Sequence, residues 1–297
     1  MKLLQFKQNG KVRLGIKVDE GIIDVAAASE AWELNAPVSL EELIHGGAEW
    51  FAALEKVIAA AADKRGRPYV LDDLDIIYAP AVTSPQKIIC VGLNYRKHAE
   101  ETKSDIPTSP ILFNKFANAL SAHGDSIQLP HTSNEVDYEA ELAIVMGKTA
   151  KNVDEAAALD YVFGYCCAND LSARNLQRRT SQWMLGKTCD GFAPLGPYIV
   201  TADEVGDPDK LSISCSVNGE QKQSSNTADM IFSCKSIISY ISQHMTLVPG
   251  DIILTGTPEG VVVGKPKDQR VYLRDGDVVS VQIEKLGELV VTMVSSH

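Results

Sequence analysis

At 297 residues, 45% of them hydrophobic, the chain is long enough for one large domain, or a large and a small one, around a sizeable core. A net charge of −11 and a pI near 5.0 exclude a partnership with nucleic acid or an anionic membrane driven by bulk electrostatics. The N-terminus carries no long apolar run and no stretch approaches a membrane span. The six cysteines form no CxxC pair, so buried free thiols in a reducing cytoplasm are expected.

In chain order, the first 25 residues predict a meander: Lys2–Gln8, a turn at Asn9-Gly10, Val12–Val18, a turn near Glu20-Gly21, then Ile22–Val25. Ser39-Leu-Glu-Glu42 has the form of a capping box opening a helix; Gly46-Gly47 interrupts it, Ala48 to Lys64 resumes it and Arg65-Gly-Arg-Pro68 stops it. His45, beside the glycines, reads as an ordinary surface histidine. Leu71 to Pro85 is a connector, which sets a small N-terminal module (residues 1–75) apart from the main domain (76–297). Lys87–Val91 reads as a buried strand, and the segment after it places His98 and Glu101 at helical i, i+3 spacing. That pair suits a carboxylate-oriented general base or, with Arg96, Lys97 and Glu100 around it, a solvated helix face. Thr102–Pro110 is a loop, Pro110–Phe113 a strand, Ser126–Leu129 another.

The most informative stretch is Glu135-Val-Asp-Tyr-Glu-Ala-Glu-Leu-Ala-Ile-Val-Met-Gly147. In one continuous strand Asp137, Glu139 and Glu141 share a face, and the run turns apolar on both faces after Leu142. No lysine or arginine lies between Lys115 and Lys148, so the face is either solvated or holds a cation. A second buried run, Tyr161 to Asn169, ends at Asp170 before a short helical stretch. Glu139, Glu141 and Asp170 together make an all-oxygen donor set, which suits Mg²⁺ or Mn²⁺ rather than Zn²⁺.

Downstream, Val153–Leu159 predicts a short helix capped by Asp154. Lys187 lies in an apolar, Gly/Pro-rich neighbourhood, as an anion-facing charge or a snorkelling surface lysine. Leu211–Val217 and Gln221–Gln223 flank an Asn218-Gly219 hairpin turn, Ser233–His244 is an amphipathic helix, and Gly250–Gly260 is a buried strand ending in a Thr/Gly turn. Asp277–Ile283 and Glu288–Val294 close the chain as a hairpin. Strands dominate, so an α+β, β-rich fold is expected.

Taken together, Val91-Gly-Leu-Asn-Tyr95 with His98 and Glu101, Asp137-Tyr-Glu-Ala-Glu-Leu142, Asn169-Asp-Leu-Ser-Ala-Arg174 with Gln177, Gly186-Lys-Thr, Pro194-Leu-Gly-Pro197, Val217-Asn-Gly and Leu254-Thr-Gly-Thr-Pro258 resemble the fumarylacetoacetate hydrolase family, in the family's order. The sequence departs from it at Cys189-Asp-Gly, where Phe-Asp-Thr is expected, and at Val261-Val-Val-Gly264, where Val-Gly-Val-Gly is commoner. The resemblance implies a mixed β-sandwich or β-roll catalytic domain behind the small N-terminal module, usually as a homodimer. It also implies Mg²⁺ or Mn²⁺ on Glu139, Glu141 and Asp170, and a His98–Glu101 dyad that activates water on a lid segment. Lys187 would lie beside the reacting carbonyl, and Arg174, Gln177 and Thr257 would hold the substrate's carboxylate end. The expected activity is hydrolysis of a carbon–carbon bond in a β-diketo acid of acylpyruvate or fumarylpyruvate type. Oxaloacetate decarboxylation, isomerisation or hydration of a hydroxymuconate-type diacid, and a non-catalytic binding role are the alternatives.

Overall fold

The computed structural model describes residues 1–61 and 68–295. The N-terminal meander forms as expected: β1 (Lys2–Gln8), β2 (Lys11–Val18) and β3 (Gly21–Asp24), with Asn9 and Gly10 both at positive φ in the first turn. Asp24 then caps α1 (Val25–Ala31) by accepting from the Ala27 amide at 3.2 Å. The Ser39 cap opens α2 (Leu40–Ala61): Ser39 Oγ accepts from Glu42 N, while the Glu42 carboxylate reaches back to Val38 N at 2.8 Å. The helix breaks at Gly47; its expected run over 62–64 and its stop over 65–67 lie outside the described residues.

Short strands β4 (Val70–Leu71) and β5 (Ile77–Tyr78) lead to β6 (Ile88–Gly92), α3 (Arg96–Glu101) and β7 (Ile111–Lys115). Next come β8 (Leu120–Ser121), β9 (Ser126–Leu129), β10 (Val136–Asp137), β11 (Ala140–Met146), β12 (Val162–Asn169) and β13 (Ser172–Ala173). One-turn helices α4 (Arg174–Gln177) and α5 (Met184–Lys187) precede β14 (Ala193–Thr201) and α6 (Ala202–Val205). The chain ends with β15 (Ser212–Val217), β16 (Glu220–Asn226), α7 (Cys234–His244), β17 (Ile252–Leu254), β18 (Val278–Ile283) and β19 (Gly287–Ser295). The helix expected over Val153–Leu159 is a 3₁₀ segment, Glu155–Tyr161, and Asp154 precedes it without a side-chain cap.

The architecture is α+β with mixed sheets. The larger sheet runs β4-β3-β2-β1-β14-β12-β11-β17-β6-β7, with β5 beside β1 and β8 beside β14; the smaller runs β16-β15-β18-β19-β9. Parallel pairing enters where β17 lies beside β6, Ile253 opposite Ile89, while its other edge is antiparallel to β11. Burial on both faces explains the uninterrupted apolar run of β11: Leu142, Ile144 and Met146 share a core with Ile213, Val281 and Val291 of the small sheet, whereas Ala143 and Val145 share one with Leu43 and Leu54 of α2.

Candidate active site

The stretch carrying Asp137, Glu139 and Glu141 is two strands rather than one. β10 pairs with β13, β11 pairs with β12, and Tyr138 and Glu139 lie in the break between them. The break sends Asp137 away from its neighbours and lets Glu139 and Glu141 converge. Their geometry is fixed from opposite sides: Asn169 Oδ1 accepts from Glu139 N at 3.0 Å, and Gly256 N donates to Glu141 Oε2 at 2.7 Å. Asp170 enters from the end of β12, its amide donating to the Glu139 carbonyl at 2.9 Å. Glu139, Glu141 and Asp170 each place one carboxylate oxygen within 4.8 Å of the others, and all three are buried, which removes the solvated-edge reading.

Cations reach this face from distant segments. Lys187 Nζ donates to Glu139 Oε2 at 2.6 Å and to Asp170 Oδ2 at 2.7 Å, and sits 4.9 Å from the centre of the Phe113 ring. It is 2% exposed, so it does not snorkel. Lys115, at the end of β7, pairs with Asp170 Oδ1 and donates to the Leu171 carbonyl at 3.2 Å. Arg174 spends its guanidinium on Asp137 (2.9 Å through Nε), Glu139 (2.7 Å) and Gln177 Oε1 (3.0 Å).

Four buried carboxylates, with Asp137 included, thus face three buried cations, and one negative charge is left over. It falls on Glu141. Burial and then the charges of Asp170 and Glu139 push the Glu141 carboxyl well above the usual range. Burial works against ionisation of Glu139 too, but Lys187 and Arg174 outweigh it and hold that carboxyl below the usual range. The Lys187 ammonium is likewise held up by Asp170 and Glu139 against the effect of burial. An all-oxygen, net-negative and buried donor set fits a hard divalent cation held by Glu139, Glu141 and Asp170.

His98 and Glu101, on α3, meet above this set. His98 Nδ1–H donates to Glu101 Oε1 at 2.8 Å, and Glu101 Oε2 accepts from the Gly260 amide at 3.0 Å, so the solvated-face reading of the pair does not hold. With Nδ1 engaged, Nε2 is the ring nitrogen left for a ligand. His98, Glu139, Glu141, Lys187, Gln177 and Thr257 are among the groups lining one cavity of about 180 Å³. Thr257 Oγ1 accepts from Gln223 at 2.9 Å, and Gln223 Oε1 accepts from Ala140 N at 2.9 Å, which ties the Thr257 turn to the strand of the glutamates.

Sequence reasoning missed Lys115 and Gln223. Both are the one buried residue of an otherwise exposed or half-buried strand, and their burial is set by partners 55 and 34 residues or more away. At Lys115 one signal was available: it closes the short strand after Pro110.

Residues 87–294 match the model of the fumarylacetoacetate (FAA) hydrolase C-terminal family. The chain is 44% identical over 289 residues to the fumarylacetoacetate hydrolase domain-containing protein 2 homolog of Dictyostelium discoideum, covering 94% of this chain and 91% of that one. It is 41% identical over 296 residues to the mitochondrial oxaloacetate tautomerase fahd2 of Xenopus laevis, covering 97% and 89%. Among solved structures, the maleylpyruvate hydrolase of Sphingobium sp. SYK-6, in complex with manganese(II) and pyruvate, matches over the whole of both chains at 32% identity and a TM-score of 0.77. The chain belongs to the fumarylacetoacetate hydrolase family.

Proposed function

We propose that this chain is a divalent-metal-dependent enzyme that moves a proton between carbon and oxygen of a 2-oxo acid of the oxaloacetate type, interconverting its keto and enol forms. The observation that carries this reading is one oriented acid–base group, His98 held by Glu101, above a buried oxygen triad in a single cavity. The Xenopus laevis relative, an oxaloacetate tautomerase alike over nearly its whole length, supports it.

A cation on Glu139, Glu141 and Asp170 would supply electrophilic polarisation of the 2-oxo group, acidifying the adjacent C–H. His98 Nε2 takes that proton and returns it to oxygen, while the Glu101 carboxylate keeps Nδ1 protonated and balances the imidazolium formed in between. Lys187 has three N–H donors, of which two are committed to Glu139 and Asp170; the third faces developing negative charge on the substrate oxygen. Four buried carboxylates face three cations, so Glu139, Glu141 and Asp170 holding a divalent ion would leave the site with one net positive charge, matching a single substrate carboxylate.

Carbon–carbon hydrolysis of a β-diketo acid is the second reading, supported by the maleylpyruvate hydrolase. His98 would then take its proton from water. The test supplies Mg²⁺ or Mn²⁺ and follows the enol absorbance of oxaloacetate, pyruvate and CO₂ separately, with acetylpyruvate and fumarylpyruvate in parallel. Metal-dependent loss of the enol without pyruvate supports the tautomerase. Pyruvate with an equivalent of acid from a diketo acid transfers the assignment to the hydrolase, and CO₂ from oxaloacetate to a decarboxylase. No metal-dependent change in any arm sinks the reading.

A further inference from the structure

The turn that receives Glu101 is fixed from behind by side chains of other segments. Behind the turn, Asp137 accepts from the amides of Val262 (3.0 Å) and Val263 (3.1 Å). Arg270 donates to the carbonyls of Val263 (2.7 Å) and Lys265 (2.9 Å), and the Tyr138 hydroxyl donates to the Gly260 carbonyl at 3.1 Å. Gly260 has a φ of 104°, and a Cβ there would fall 2.2 Å from the Lys222 carbonyl oxygen, so its backbone accepts no other residue.

Gly264 is different. Its φ lies outside the left-handed region, so its backbone would accept any residue. Yet a Cβ at this position would lie 2.5 Å from Glu101 Cδ, 2.6 Å from Oε2 and 2.9 Å from Oε1. Those nearest atoms all belong to one carboxylate, at the end of a flexible side chain, whereas the turn is fixed from behind. Added bulk would therefore move Glu101 rather than the turn. The displaced carboxylate would lose the Gly260 amide and its hold on His98 together, at little cost to the fold.

We infer that Gly264 is a positioning residue for the His98–Glu101 dyad: its missing side chain is the space in which the Glu101 carboxylate sits against the Gly260 amide. The inference rests on the dyad being the acid–base group proposed above.

The test is a double-substitution cycle on the full-length, metal-loaded protein. Gly264→Ala lowers kcat by roughly tenfold or more, within the contribution expected of a positioned acid–base group, and leaves KM, metal affinity and melting temperature near wild type. In a Glu101→Ala background the same change has no further effect, because no carboxylate remains to displace. Equal losses in both backgrounds, or no loss in wild type, overturn the inference. Amide hydrogen exchange reads the same contact without turnover. The Gly260 amide is protected in wild type and exchanges faster in Gly264→Ala; an unprotected Gly260 amide in wild type, or unchanged protection in the variant, also overturns it. If no substrate of the panel is converted, the functional reading fails while exchange still decides the role of Gly264.

Discussion

Asp137 and Arg174, 37 positions apart, are joined at 2.9 Å, and through that pair the acidic cluster is connected to the turn beneath the dyad. The Asp137 carboxylate accepts from Arg174 and Val263 on one oxygen and from Val262 and Tyr138 on the other, while Arg174 extends on to Glu139. Asp137→Asn replaces one of these acceptors with a donor and leaves a buried guanidinium short of a counter-charge. A loss of about 3–5 kcal/mol in denaturant unfolding is expected; a change below about 1 kcal/mol would mean that the connection is not structural.

Among the described residues Glu141 is the carboxyl of the cluster with no cation bonded to it. Glu141→Gln keeps the shape and the Gly256 contact's acceptor, and removes the ionisable group. The metal-free protein should melt at the wild-type temperature or above it, while the stabilisation by Mg²⁺ or Mn²⁺, about 2.7 kcal/mol in wild type at a hundred times Kd, disappears. Retention of that increment in the variant would remove Glu141 from the ligand set.

His98 lies above Glu139, Glu141 and Asp170, and its ring bonds to Glu101 rather than to any of the three. His98→Ala should lower kcat by about 10²–10⁴-fold while calorimetry finds metal affinity unchanged. A variant that fails to bind metal would put the histidine among the ligands instead.

Arg178 lines the same cavity, and among the described residues no carboxylate lies within ion-pair distance of it. Arg178 is exposed at the cavity's edge, and partial desolvation there, then repulsion from Arg174 and Arg270, push its guanidinium below the ordinary value. A second carboxylate on the substrate would answer that charge. Arg178→Ala should raise KM for a dicarboxylic 2-oxo acid by about tenfold or more, in line with about 1.5–3 kcal/mol for a hydrogen bond to a charged group, and leave a monocarboxylic one unaffected. Equal effects on both would assign Arg178 no part in selection.

His123 sits far from this chemistry. Its Nδ1 accepts from the Val290 amide at 3.2 Å, its ring meets Tyr78 edge-on at 4.8 Å, and burial pushes it below its ordinary value of 6.5. The unfolded chain therefore takes up this proton first on acidification, and stability falls as pH drops from about 6.5 through the depressed value. Melting temperatures from pH 7.5 down to pH 5 should decline less steeply for His123→Gln than for wild type. Parallel curves would show that His123 does not contribute.

The fold class and much of the site were legible because their signals are local. A run apolar on both faces marked β11, Asn-Gly pairs marked two hairpins, and the Glu139–Glu141 spacing with Asp170 at a strand end pointed to a cation. What escaped depends on distant partners. Nothing near Asp137 announces the break at Tyr138, which is held by the pairing of β10 with β13 and by the turn at Val262. Lys115 looks like any strand-end lysine until β12 brings Asp170 to it. The apolar run within Gly250–Gly260 announces a strand, which the structure confines to Ile252–Leu254, yet the run carries no information about which neighbours that strand joins.

Those neighbours matter for biosynthesis. The strand lies between β6 and β11, so the middle of the large sheet cannot close until it has been made. Translation separates Cys90 from its partner Leu254 by about 160 residues, roughly ten to thirty seconds at ordinary ribosome speeds. During that interval β6 and β11 each present an apolar, unpaired edge to the cell. Slower, cooler expression should therefore favour soluble protein.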